Sequence, residues 1–173
     1  MHAIVVYESM FGDTEEVARA VADGLGSAEV VPVDLAPRDL MGRDLLVVGA
    51  PTHVHGMSRP STRKAAAEQA PEGTRTHESG MREWLGGFHV LPPGTTTAAF
   101  DTRLRKPRWL TGSAARVADK ILRRLGHPPI VPATSFFVEV VDGETRLVEG
   151  ERARAREWGE SLARAQRTGS GRG

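Results

Sequence analysis

The chain has 173 residues, which fits one compact domain with a real core. It is 39% hydrophobic and 26% charged, with 23 basic against 22 acidic side chains, which speaks against disorder and gives no warrant for a nucleic-acid partner. It holds no cysteine, which removes disulfides, thiol nucleophiles, iron–sulfur clusters and zinc ribbons together.

No basic segment followed by a long apolar one opens the chain, and no apolar run reaches membrane-spanning length. A soluble, cytoplasmic protein is expected. The β-branched run Ile4-Val-Val-Tyr7 predicts a first strand, which stops at a polar turn, Glu8 to Thr14, holding two hydroxyls and Gly12. From Glu15 the spacing turns helical: Val17, Val21 and Leu25 fall on one face, and Glu15, Glu16, Arg19 and Asp23 face outward. Glu29 to Val33 reads as a second strand, placed at an edge because Pro32 cannot donate to a ladder. Asp44 to Ala50 reads as a third; Leu45 to Val48 are apolar without alternation, as in a parallel strand covered on both faces.

Pro51 to Met57 is expected as a loop at the carboxyl end of that strand. A weaker pattern follows, with a short helix over Ser61 to Ala70, a turn at Pro71 to Gly73 and helical turns from Gly80 to Leu85. A connection this long beside a binding edge suits a lid and irregular packing equally. Thr95 to Phe100 predicts a fourth strand, and Asp101 to Trp109 a polar loop. Ser113 is an N-cap for a helix whose inner face carries Ala114, Val117, Ala118, Ile121, Leu122 and Leu125. A fifth strand lies within Ile130 to Val140, and Asp142-Gly143 turns it back toward Thr145 to Val148. The last helix runs from about Gly150 to Gln166 with Trp158 inward, leaving a single domain over 1–167 and a flexible tail over 168–173.

Strands alternating with helices give a doubly wound α/β domain with about five parallel strands. Its ligand belongs outside the carboxyl ends of the strands, where Glu8 to Thr14, Pro51 to Met57 and Asp101 to Trp109 meet. Strand, polar turn and helix aim backbone N–H groups and a positive helix end at one point, a site for an anion and most often a phosphate. The first loop has no Lys or Arg, and neither the Gly-x-x-x-x-Gly-Lys nor the Gly-x-Gly-x-x-Gly pattern is present. A phosphorelay receiver would want an aspartate after strand three, where Ala50-Pro51 stands. A plain capped turn, with Asp13 and Glu16 as the capping pair, accounts for the loop without any ligand. His53-x-His55 makes an incomplete metal pair, and no metal is expected.

Val6-Tyr-Glu-Ser-Met-Phe-Gly-Asp-Thr14 with its helix resembles the phosphate loop of the flavodoxins, written T/S-x-T-G-x-T. Asp44 to Thr52 is similar to their third strand and its loop. Ala99-Phe-Asp-Thr-Arg103 with Gly112-Ser-Ala-Ala115, Ser135-Phe-Phe-Val138 and the run Gly150 to Trp158 resemble a bacterial flavodoxin-like branch. The resemblance covers nearly the whole chain and implies a flavodoxin-like sheet of strand order 2-1-3-4-5 carrying FMN non-covalently. Carried over by position, Ser9, Phe11, Gly12, Asp13 and Thr14 would surround the FMN phosphate, with Met10 reaching it through its amide. Pro51, Thr52, His53, Val54, His55 and Gly56 would lie by the isoalloxazine ring, and Asp101, Thr102 and Arg103 by its pyrimidine edge. The activity implied is an electron shuttle between a flavin- or NAD(P)H-dependent reductase and an acceptor enzyme. An FMN-dependent oxidoreductase acting on a quinone or a protoporphyrinogen is the alternative, and a flavin-free binding domain a further one.

The sequence also departs from the family pattern. Phe11 stands where the middle hydroxyl belongs, removing one phosphate hydrogen bond of about 0.5–1.5 kcal/mol. The Trp and Tyr that commonly sandwich the flavin have no obvious equivalents; His53, His55, Met57 and Trp109 are nearest. Flavodoxins are typically acidic, whereas Arg103, Arg105, Lys106 and Arg108 cluster here after strand four. Either they form a solvated loop, or a guanidinium stands by the reduced, anionic flavin and raises its potential.

Overall fold

The computed structural model describes residues 1–53, 56–61, 64, 80–107 and 111–170. The central strand β1 (Ala3–Tyr7) is buried along its whole length. It pairs in parallel with β2 (Ala28–Pro32) on one side and β3 (Leu45–His53) on the other, with Val5 opposite Val30 and Val47. Next come β5 (Thr96–Leu104) and β6 (Thr134–Val141), both parallel. The antiparallel β7 (Glu144–Leu147) closes that edge, and the two-residue β4 (Gly56–Met57) folds back on the end of β3. The parallel strands run in the order β2-β1-β3-β5-β6, the expected 2-1-3-4-5 arrangement, with Pro32 on an edge strand as its missing N–H requires.

Alternation along the strands divides the core in two. Ala3, Val5, Tyr7, Val47 and Phe100 face α1 (Asp13–Leu25) and α4 (Glu151–Ser170). Ile4, Val6, Val48, Ala50 and Ala99 face α2 (Met81–Gly86) and α3 (Ala114–Arg124). Trp158 packs inward as its helical position predicts, edge-on to Phe100 and Phe136 with centroids 6.0 Å away. Among the described residues no helix is long and apolar enough to cross a membrane.

Several boundaries differ from the sequence expectation. β3 continues to His53 and turns into β4, so the expected 51–57 loop is the end of a strand and a hairpin. β1 ends opposite Gly49, which leaves β3 without that neighbour and makes Pro51 tolerable there. β5 continues through the polar Asp101, Thr102 and Arg103 because each is taken up by a neighbouring element. Helix α1 starts at Asp13, two residues early, with Gly12 as N-cap at φ 98 and no side-chain cap, so the Asp13–Glu16 capping pair does not form. Helix α4 runs to Ser170 and takes in 168–170 from the expected tail, where the Thr168 hydroxyl donates to the Ala165 carbonyl at 2.8 Å. Helix α2 forms where helical turns were expected, whereas residues 62, 63 and 65–70 of the preceding expected helix and the 71–73 turn lie outside the described residues.

Two buried carboxylates pin the helices on the α2/α3 face. Glu8, at the end of β1, accepts the Ser58 hydroxyl at one oxygen and the Met81 N–H, 2.8 Å away at the start of α2, at the other. Asp101 Oδ2 accepts from the Ser113 hydroxyl at 2.5 Å, the Ala115 N–H at 2.9 Å and the Thr52 hydroxyl at 3.0 Å. On the opposite face α1 and α4 meet through glycines: a methyl group on Gly24 would overlap the Arg156 carbonyl, and one on Gly159 the Val21 carbonyl. At the far edge of the sheet Gln166 accepts from the Thr96 hydroxyl at 2.6 Å and donates to the Asp44 carbonyl at 3.1 Å.

Gly24→Ala is expected to lower the urea midpoint, because overpacking against backbone costs about 1–3 kcal/mol and outweighs a propensity gain of up to about 1. Gly86→Ala, also helical but with open space at the same atom, should not lower it. Asp101→Ala leaves three donors, two of them buried, without their acceptor and should lose about 2–4 kcal/mol of stability by denaturant titration, with Asp101→Asn losing less.

Candidate active site: a hydroxyl-lined cavity at the carboxyl edge

A cavity of about 190 Å³ opens at the carboxyl ends of β1, β3 and β5, the place where chain direction across the sheet reverses. From the first loop and the start of α1 come Ser9, Met10, Phe11, Asp13 and Thr14; from β3, Pro51 and Thr52; from β5, Thr102, Arg103 and Leu104. Val138 and Thr145, on β6 and β7, complete it. Three segments singled out in the sequence therefore converge on one hollow, large enough for a phosphate and a short polar chain.

The loop owes its shape to Gly12. Its positive φ lets the chain reverse into the helix, and its N–H donates to the Ser9 hydroxyl oxygen at 3.1 Å, so Ser9 is buried inside the turn. Thr14 shares a buried hydrogen bond of 2.7 Å with Thr102, tying α1 to β5. Two hydroxyls joined by one bond use one hydrogen and leave the other to donate elsewhere. With the first N–H groups of α1 these are neutral donors at a positive helix end, a combination that suits an anion.

Phe11 is the exposed member, with 52% of its surface in solvent, where a hydroxyl would have added a donor. Asp13, half-buried, accepts the Thr145 hydroxyl at 2.5 Å. Burial pushes its carboxyl up from the ordinary aspartate range, and the Thr145 hydrogen bond pulls the other way. Arg103 is buried along β5; its guanidinium lies 5.2 Å over the Phe137 ring and donates to the Lys106 carbonyl at 2.7 Å. Arg105 lies over the same ring at 5.2 Å and is exposed, as is Lys106.

Other expected site residues stand apart from this hollow. Asp101 points to the opposite face of the sheet, where it caps α3, because successive residues of a strand alternate. Gly56 lies in the β3–β4 hairpin and outside the wall. His53 ends β3, while Val54, His55, Arg108 and Trp109 lie outside the described residues. Leu104, Val138 and Thr145 were not among the expected residues, and no local pattern marks them: Thr145 meets Asp13 across 132 positions.

The flavodoxin family model matches residues 5–88, which includes the first loop, β3 and α2. No curated protein sequence matches the chain. Among solved structures it is similar to a flavodoxin from the domain Archaea, with 19% identity and a TM-score of 0.64 over 96% of this chain and 99% of that one. It is similar to flavodoxin 1 of Bacillus cereus at 15% identity and a TM-score of 0.65, over 95% of this chain and 98% of that one. A rubredoxin oxygen:oxidoreductase from Desulfovibrio gigas matches at 19% identity and a TM-score of 0.61; 96% of this chain covers 36% of that longer one. With the family's sequence pattern over residues 5–88 and the 2-1-3-4-5 parallel sheet throughout, the chain has the flavodoxin-like fold.

Proposed function

We propose that the cavity binds FMN non-covalently and that the chain carries electrons between a flavin- or NAD(P)H-dependent reductase and an acceptor enzyme. The observation that carries this reading is the convergence of Ser9, Thr14 and Thr102 at the start of α1, neutral donors at a positive helix end with no lysine or arginine in the loop. The donor chemistry fits a phosphate ester: Thr14 and Thr102 have one hydroxyl hydrogen to spare, and the α1 amides supply the rest. Thr14, Ser9 and the amides around Gly12 would hold the phosphate. Pro51 and Thr52 would stand by the ring system, and Arg103 would provide positive charge in the same wall. When bound, the flavin supplies the redox chemistry, and the protein supplies orientation and electrostatics.

The Thr52 hydroxyl donates to Asp101 and accepts the Ala114 N–H at 2.9 Å, which holds the β3 wall at a set distance from α3. Buried Arg103 is likewise kept in place by the Lys106 carbonyl and the Phe137 ring. A fixed guanidinium beside the reduced, anionic flavin stabilises that state relative to the oxidised one.

The first test is the visible spectrum of the purified protein: a yellow preparation that releases FMN on heating supports the reading. A colourless protein that takes up no FMN at micromolar concentration overturns it. Thr14→Val removes one donor and its tie to Thr102, and should weaken FMN binding by about tenfold, read by quenching of flavin fluorescence. Arg103→Ala should lower the flavin midpoint potential by on the order of 50–100 mV in a redox titration; an unchanged potential removes the electrostatic role. Steady turnover of NAD(P)H or a quinone without any partner protein would move the chain from carrier to small-molecule oxidoreductase.

A further inference from the structure

We propose that Asp13 selects the charge of the ligand: it sets a fixed negative charge in the cavity wall and so penalises a doubly charged phosphate relative to a neutral ligand of the same shape. This deepens the FMN reading above and rests on it. Asp13 is the first residue of α1, it lines the cavity, and its carboxylate is tied to Thr145 of β7 at 2.5 Å. The tether fixes the charge at the place where the helix end would otherwise attract a ligand anion. A phosphate arriving there must share one positive pole with an anion the protein already carries.

Nothing in the loop offsets that repulsion, because Glu8 to Thr14 contains no cation. The rest of the first turn of α1 adds Glu15 and exposed Glu16, the former paired with Arg19 at 2.7 Å. On β7, Thr145 is flanked by Glu144 and Arg146, which face each other at 3.9 Å. The guanidinium in the wall is that of Arg103, whose Nη1 is directed at the Lys106 carbonyl. Burial already disfavours ionised Asp13, so its surroundings stabilise a negative charge less well than water does. The same surroundings are what a phosphate meets.

The test compares FMN with riboflavin, which has the same ring and polyol without the phosphate. The protein, stripped of flavin and refolded to its original circular dichroism spectrum, is titrated with each at pH 8, where the phosphate monoester is doubly charged. Asp13→Asn should tighten FMN by about tenfold or more while leaving riboflavin nearly unchanged. Asp13→Glu, which keeps the charge, should keep the parent ratio of the two affinities. Equal shifts for both flavins in Asp13→Asn, no shift at all, or an Asn-like ratio in Asp13→Glu would overturn the proposal and leave the FMN reading standing. Binding of neither flavin to any of the three proteins would overturn both.

Discussion

A carboxylate sealed from water organises the edge of the sheet on which the cavity lies. Asp101 is fully buried, and burying a polar side chain is costly unless hydrogen bonds compensate it. Thr52, Ser113 and the start of α3 all converge on Oδ2, so one side chain fixes the end of β3, the end of β5 and the origin of a helix together. Glu8 repeats the arrangement two strands over, joining the end of β1 to Ser58 and α2. Both carboxylates lie on the α2/α3 face. Their neighbours in sequence, Ser9 and Thr102, enter the cavity.

Strand alternation thus separates support from binding within adjacent residues. Asp101 holds α3 and Thr102 meets Thr14 of α1, so the hydroxyls of the cavity are positioned by a carboxylate that never reaches it. The geometry limits what the cavity can recognise. Its donors are neutral and its cation is held by the protein's own carbonyl, which favours a ligand read by shape and hydrogen bonding over one captured by bulk charge. Asp13 sharpens the point, since the helix end that would draw an anion already has one.

Much of this was legible in the chain itself. The continuous apolar runs Ile4 to Val6 and Leu45 to Val48 announced central parallel strands, Pro32 an edge, and the Ser113 cap with its apolar stripe a helix. Ser9, Thr14 and Gly12 were identified by type and spacing because a strand–turn–helix junction leaves a local imprint. The misplaced strand boundaries share one cause: Asp101 to Arg103 and Pro51 to His53 are polar or proline-bearing, and such strand ends look like loops to any rule based on hydropathy. Thr145 and Val138 were invisible because their role depends on β7 folding over α1, a contact with no periodicity to betray it.

The anchoring of α4 has a practical corollary. Gln166 is bonded to Thr96 and Asp44, at the amino ends of β5 and β3, while the hydroxyl pocket opens at their carboxyl ends. A linker or bead grafted to the outer face of α4 near Gln166 would therefore grip the molecule from behind. The rim of the pocket would stay turned toward bulk solution, open to whatever enters it.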